Sequence, residues 1–457
     1  MTYLEFLEKK KHIGINSGIK PLYIPDYLFD FQKYAVEYAV KKGRSALFFD
    51  TGLGKTLIEL CIARNYLEST NKPVLIITPL AVAFQFVKEC NRFDISSIEY
   101  SKDGKYKSDI VVCNYERLDK FNPNEFDCVI LDESSILKNF KGVIKNNVTS
   151  FLKNVKYRFL ATATPSPNDF VELGTSSEAL GYMGYTDMLT KFFTNNEGNM
   201  IKPQNIGTKW ILKGHAENSF FEWVSSWSLS IRKPSDLGFD DSKFILPELI
   251  LNHTPIKNLK PLSIGGQRQL FNIVAKTMKE VQAESRSTIE QRCAEAVNLT
   301  KRHDVSVYWC NRNDESETIK NMDSNSVEIK GSMSLDHKED VLLAFAKGDI
   351  KKIITKPKIT AFGLNWQHCN HTTYFPTFSY EQYYQAIRRF WRFGQKNPVI
   401  VDLIYSDGQK RVLDSLLAKT KKANDLFDKL NLSTNKGYTD NVARFDKKII
   451  IPSFLNH

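Results

Sequence analysis

The run from Ser45 to Thr70 narrows the possible folds more than any other part of the chain. An apolar, strand-like segment, Ser45-Ala46-Leu47-Phe48-Phe49, leads into Asp50-Thr51-Gly52-Leu53-Gly54-Lys55-Thr56. The helix-patterned Leu57-Ile58-Glu59-Leu60-Cys61-Ile62-Ala63-Arg64 follows. Strand, glycine turn and helix in that order are the setting of a phosphate-binding loop. Gly52 and Gly54 let the backbone approach a polyphosphate with no Cβ in the way. The helix start aims N–H groups at anionic oxygens. Lys55 is the candidate cation for the β- and γ-phosphates, and Thr56 the candidate hydroxyl for Mg²⁺. The strict pattern also carries a glycine five residues before Gly54, where this chain has Phe49. A plain glycine turn between strand and helix is the competing reading.

A phosphate loop is one part of a larger machine, and the rest of the chain has room for one. Its 457 residues suffice for two to four domains, and 42% hydrophobic with 25% charged residues is a globular composition. The formal net charge of +11 favours a polyanionic partner, nucleic acid being the usual one, although a basic surface also serves plain solubility. Cysteines at 61, 90, 113, 128, 293, 310 and 369 have no paired spacing, which argues for a reducing compartment rather than a disulfide framework. His368-Cys369-Asn370-His371 lacks a second ligand pair nearby, so zinc is not expected. The N-terminus shows no signal-peptide pattern, and no run approaches the length of a membrane span. The expected location is the cytoplasm of a bacterial or phage-infected cell.

Around the loop the chain alternates strand-like and helix-like segments. Val74-Leu75-Ile76-Ile77-Thr78, Asp109 to Tyr115, Cys128-Val129-Ile130-Leu131 and Tyr157-Arg158-Phe159-Leu160 read as buried strands. Each ends in polar residues, and in a parallel α/β sheet ligands gather at the carboxyl ends of strands. Asp132-Glu133 follows one of them. Such a pair can hold Mg²⁺ through a water and polarise an attacking water, or simply be solvated. Gln32, on a helix-patterned segment about twenty residues before the loop, offers the donor and acceptor that suit an adenine edge. Taken alone it fits a surface polar residue equally well.

Residues 174–250 break the rhythm with Phe192, Phe193, Trp210, Phe220, Phe221, Trp223 and Trp227, a set that reads as a small hydrophobic core more readily than a base-stacking platform. The stretch from Arg232 to Pro247 reads as a linker. A second α/β rhythm then runs from Val305 to Ile404, with a turn at Gly363-Leu364-Asn365, a helix from Tyr380 to Trp391, and an amphipathic helix from Arg411 to Leu430. Arg389 and Arg392, three apart, share a face if the helix continues that far. Guanidinium groups there suit a γ-phosphate, or else nucleic-acid backbone.

The ordered series Gln32, Gly52 to Thr56, Thr78-Pro79, Asn114-Tyr115-Glu116, Asp132-Glu133, Thr162-Ala163-Thr164-Pro165, Gly363-Leu364-Asn365 and Gln385 to Gln395 resembles the superfamily 2 helicase-like ATPases. The likeness is to their Swi/Snf-type branch, in a compact form like those carried by phages or prophages. It implies an α/β fold of two tandem RecA-like parallel-sheet lobes with a helical, aromatic insertion between them. The expected divisions are a leader at 1–25, lobe one at 26–250, lobe two at 251–430 and a tail at 431–457. ATP and Mg²⁺ are the implied cofactors, bound by Gln32, Gly52, Gly54, Lys55, Thr56 and Gly363. Thr56 and Asp132 would hold the metal, Glu133 would activate water, and Arg389 and Arg392 would arrive from lobe two. Double-stranded DNA is the implied partner of a monomer that hydrolyses ATP to translocate. A strand-separating DNA or RNA helicase and a non-catalytic nucleic-acid-binding module are the alternatives. The chain departs from the branch's usual pattern in four places. In one, Thr360, Ala361 and Phe362 stand where glycines are usual, and Lys356 to Ile359 lengthens the segment. Arg388 stands for a glycine, Asp50-Thr51 for an acidic-Met pair, and Ser134-Ser135 for Ala-His.

Overall fold

Short apolar runs rich in Val, Ile and Phe can be satisfied as strands buried on both faces, which parallel sheets require. The computed structural model, which describes residues 14–79, 82–195, 210–258, 263–264, 267–268, 278–359 and 365–446, has two such sheets. The first part of the chain supplies α1 (Asp30–Lys42), β1 (Arg44–Phe49), α2 (Lys55–Thr70), β2 (Val74–Thr78), α3 (Ala83–Arg92), β3 (Ile98–Tyr100) and β4 (Ile110–Asn114). It continues with β5 (Cys128–Leu131), α4 (Val143–Leu152), β6 (Tyr157–Thr162), α5 (Leu173–Leu180) and α6 (Tyr185–Phe192). A small antiparallel pair, β7 (Phe193–Asn195) and β8 (Trp210–Leu212), precedes α7 (Glu217–Trp227) and β9 (Ser228–Ile231). The seven strands of the first sheet run parallel in the order β3-β4-β2-β5-β6-β1-β9.

Local chemistry fixes the elements next to the loop. Asp30 in the first turn of α1 and Lys41 and Lys42 in its last complement the helix dipole, and Gly43 ends it with a left-handed φ of 76°. β1 is then flanked by β6 and β9, with Leu47 opposite Ala161 and Leu229. Its side chains alternate: Leu47 and Phe49 enter the core under α1 to α3, whereas Ala46 and Phe48 enter the core on the opposite face. That second core contains Phe192, Phe193, Phe220, Phe221, Trp223 and Trp227, with Trp210 against it. The aromatic segment is thus continuous with the main core of the first lobe rather than a separate small one. Its α7 is pinned there because β9, its direct continuation, pairs with β1.

The second lobe holds β10 (Leu249–Ile256), a short hairpin of β11 (Ser263–Ile264) and β12 (Gln267–Arg268), α8 (Met278–Ser287), α9 (Ile289–Thr300), β13 (Ser306–Trp309) and α10 (Asn313–Met322). It continues with β14 (Val327–Glu328), α11 (Leu335–Lys347), β15 (Lys352–Thr355), β16 (His371–Tyr374), α12 (Tyr380–Ile387) and β17 (Val399–Ser406). Its six strands run parallel in the order β10-β17-β16-β13-β15-β14. The second sheet therefore begins inside the stretch expected to close lobe one.

A final helix, α13 (Lys410–Asp446), runs past the expected end at Leu430. Leu413, Leu416 and Ala423 lie in the core of the second lobe, and Leu426, Phe427 and Leu430 in that of the first. One helix thus enters both cores. Arg232 adds to the tie, donating to Asn424 O at 2.9 Å and pairing with Asp428 at 3.3 Å. At the other end of the chain, Gly14 and the segment 17–19 bond to α7 and to the last turn of α1, so residues before 25 belong to the first lobe. No helix among the described residues is long and apolar enough to cross a membrane.

Candidate nucleotide site between the lobes

The loop between β1 and α2 has the backbone that glycine permits. Gly52 has φ 87° and Gly54 φ 79°, the latter starting α2 as its N-cap. A Cβ on Gly54 would come within 2.3 Å of Gln32 Nε2, and one on Gly52 within 3.0 Å of the Phe393 backbone of the other lobe. Both positions take the left-handed φ that favours glycine, and a Cβ at either would press on its neighbour. Lys55 Nζ donates to Phe49 O at 2.9 Å and Asp50 O at 3.2 Å, folded back over the loop. Gln32 is buried. It donates to Leu53 O at 2.9 Å and accepts from Phe29 N at 3.0 Å, so its amide braces the loop.

The acidic pair sits on the neighbouring strand end. Asp132 is buried and accepts from Thr78 Oγ1 at 2.9 Å, while its carbonyl accepts from the Tyr115 hydroxyl at 2.6 Å. Burial raises its pKa, opposed by the Thr78 hydrogen bond and by the Lys55 charge. Glu133 adopts a left-handed φ of 48°, uncommon outside glycine, which turns the chain sharply after β5. Its carboxylate accepts from Thr162 Oγ1 at 3.3 Å. Burial and the neighbouring Asp132 push its pKa up to about 7, against the pull of Lys55. The strand-end residues Thr78, Tyr115 and Thr162 thus act as the supports of this pair.

Sequence reasoning missed a third carboxyl. Glu59, one turn after Lys55 on α2, is fully buried, and neither oxygen has a hydrogen-bond partner among the described residues. Burial, together with Asp132, raises its pKa well above the carboxylate range. Its place in an otherwise apolar segment was the available signal.

The arginines of the second lobe reach this site, but not from a helix. α12 stops at Ile387, so Arg389 and Arg392 lie on the turn beyond it, correcting the expected shared helical face. Tertiary ties end the helix. The Trp391 indole N–H donates to Pro247 O at 2.7 Å, the Gln395 amide reaches Cys369 O at 3.0 Å and Phe390 O at 3.3 Å, and Phe390 is buried beside Trp309 and Trp366. Gly394, with φ 93°, completes the turn. Burial and repulsion from Arg392 lower the Arg389 pKa to about 10, and the Glu133 charge across the cleft opposes that shift. Arg392 is lowered to about 10 by burial and by Arg388, and its Nε is buried with no hydrogen-bond partner among the described residues. Gly363 lies outside the described residues.

Loop, acidic pair and second-lobe arginines therefore converge on one cleft. Residues 31–176 match the SNF2-related domain and residues 289–394 the helicase conserved C-terminal domain, in that order and one on each sheet. The chain belongs to the Swi/Snf-type helicase-like ATPases. Among curated members, it is 30% identical over 164 residues to the Xenopus tropicalis SWI/SNF-related matrix-associated actin-dependent regulator of chromatin subfamily A-like protein 1, covering 34% of this chain and 17% of that protein. It is 27% identical over 180 residues to the Bos taurus DNA annealing helicase and endonuclease ZRANB3, covering 35% of this chain and 17% of that one. Each match thus spans under a fifth of the relative's length. Among solved structures, the Sulfolobus solfataricus SWI2/SNF2 ATPase core in complex with dsDNA aligns at a TM-score of 0.44 and 19% identity, covering 91% of this chain and 96% of that chain.

The donor set of this Swi/Snf-type cleft suits MgATP. The loop offers two glycines and a lysine, the end of β5 a buried aspartate, and the far lobe an arginine whose buried Nε–H has no hydrogen-bond partner among the described residues.

Proposed function

We propose that the protein is an ATPase driven by DNA, which hydrolyses ATP between its lobes to translocate along the duplex. The observation that carries this reading is that the turn bearing Arg389 and Arg392 meets the phosphate loop, with Arg388 paired to Asp50 and the Phe393 backbone against Gly52. A base from one lobe and a cation from the other meet only when the lobes close. In this reading Lys55 moves from its loop carbonyls to the phosphates, and Thr56 and, through a water, Asp132 hold Mg²⁺. Gln32 positions the loop and presents its remaining amide hydrogen to adenine. Bound MgATP supplies the γ-phosphoryl group and the metal charge that neutralises it. The Glu133 carboxylate orients the attacking water and takes its proton. Arg389 and Arg392 face the developing charge, so turnover is coupled to lobe closure.

Duplex DNA as the track is supported by the net charge of +11 and by the names of the relatives, which concern chromatin and DNA annealing. Phosphate contacts should dominate, giving binding nearly independent of sequence, with a log–log salt slope near about −0.9 per phosphate. A monomer acting in the cytoplasm completes the proposal. Displacement of a third strand from a triplex, set beside unwinding of a forked duplex, tests it. ATP-dependent triplex displacement without unwinding is expected. Unwinding without displacement would make the protein a strand-separating helicase.

A further inference from the structure

Helix α12 crosses the cleft as a bar and touches both nucleotide elements of the first lobe. Glu381, Tyr384 and Arg388 are spaced i, i+3, i+7 and so form one face. At one end Glu381 accepts from Ser135 Oγ at 2.9 Å and pairs with Lys138, on the turn that directly follows Glu133. At the other end the Tyr384 hydroxyl donates to Asp50 Oδ1, and the Arg388 guanidinium pairs with Asp50 Oδ2. The Asp50 and Arg388 side chains are only 10% and 11% exposed. Arg388 is steered by its neighbours, lying 4.3 Å from the Trp391 ring and 5.3 Å from that of Tyr384. Asp50 is tied to the phosphate loop twice: its Oδ1 accepts from Thr51 N at 2.6 Å, and its carbonyl from Lys55 Nζ at 3.2 Å.

Each contact thus falls within a few residues of a group assigned to the chemistry. Arg388 adjoins Arg389, Asp50 holds Lys55, and Ser135 follows Glu133 by two. Ser135 and Arg388 are also positions where this chain departs from the usual pattern of its branch, and each takes part in a contact that bridges the lobes.

We propose that Asp50 and Arg388, with Glu381 on Ser135 and Lys138, are positioning residues. They form a clasp that holds the lobes closed before nucleotide arrives and sets Arg389 in register with the phosphate loop. The clasp rests on the ATPase reading for its purpose but not for its existence. It closes one wall of a cavity of about 700 Å³ between the lobes, also lined by Tyr380, Trp391 and Phe427. Breaking it opens a joint without unpacking a solid core, so neutral variants should fold.

The test uses the full chain. All seven native cysteines are buried, so cysteines placed at exposed Lys102 and Asp349 accept donor and acceptor dyes selectively. In nucleotide-free protein, Arg388→Gln and Asp50→Asn should each lower the closed-to-open ratio about tenfold, since loss of a largely buried pair leaves one charge unpaired. Their ATPase kcat should fall about tenfold while KM for ATP changes less than about threefold, the split expected of a role in closure rather than in binding. Arg388→Lys, which keeps the charge but loses the planar group that lies against Trp391 and Tyr384, should fall between wild type and Arg388→Gln in both readouts. Wild-type ratios in Arg388→Gln and Asp50→Asn would overturn the clasp. So would Arg388→Lys as impaired as Arg388→Gln, since packing rather than the ion pair would then be at stake. The dye distances are read without ATP. A wild-type protein that fails to hydrolyse ATP would refute the ATPase reading and leave the clasp to be judged on distances alone.

Discussion

Glu133→Gln separates chemistry from binding at this site. The amide oxygen still accepts from Thr162 Oγ1, which stands 3.3 Å from the carboxylate, and the left-handed backbone is unaltered. What disappears is a negative charge and the ability to accept a proton. That charge is favoured by Lys55 and opposed by Asp132 and Glu381, and it in turn favours charged Arg389. Two cations and two anions thus nearly cancel, so ATP affinity should move less than about threefold. A general base is worth about 10²- to 10⁴-fold in rate. At 1.36 kcal/mol per factor of ten this is about 3 to 5 kcal/mol of transition-state stabilisation, and it should appear wholly in kcat. ATPase at saturating duplex DNA gives kcat, and a fluorescent ATP analogue gives affinity. A kcat within tenfold of wild type, or an affinity loss that parallels the rate loss, would refute the assignment.

Arg389→Ala and Arg392→Ala should each cut turnover by about 10³-fold with little change in ATP affinity. Normal hydrolysis combined with lost DNA binding would remove the finger role. Arg292 and Glu315 are 0% and 1% exposed and paired at 2.9 Å in the second lobe, so Arg292→Met should cost about 3 to 5 kcal/mol by leaving Glu315 buried. Urea melts check this, and an unchanged midpoint would show that the Asn311 and Arg312 amides suffice to hold Glu315. Glu59 has a folded pKa above its unfolded value, so the folded state holds its proton longer and stability falls as pH rises past about 4.5. Glu59→Gln removes that loss and should raise the melting temperature more at pH 8 than at pH 5. A pH-independent difference would contradict it.

The central strands were legible because strands buried on both faces leave unbroken apolar runs, as in Val74–Thr78 and Cys128–Leu131. Edge strands leave a weaker trace. β9 is Ser-Leu-Ser-Ile, and β10 carries Asn252, His253 and Pro255, and neither was read as a strand. The loop glycines, Lys55 and the acidic pair were legible because their spacing is local. The end of α12 was not, since it is set by bonds to Pro247 and Cys369, distant in sequence. Glu59 sits among apolar residues that hint at its burial, but a helical pattern alone does not say which faces are covered. The clasp joins residues more than 240 positions apart, a distance over which one sequence holds no pairing signal.

ATP hydrolysis by the wild-type protein, measured with saturating duplex DNA, single-stranded DNA, RNA and no nucleic acid, tests the central claim most directly. Duplex DNA should raise kcat by at least about tenfold over the free protein and above either single strand, because duplex bound across both lobes favours the arrangement in which Arg389 faces the phosphates, adding to the bias that the clasp provides. A rate indifferent to duplex DNA, or highest with RNA, would contradict the account.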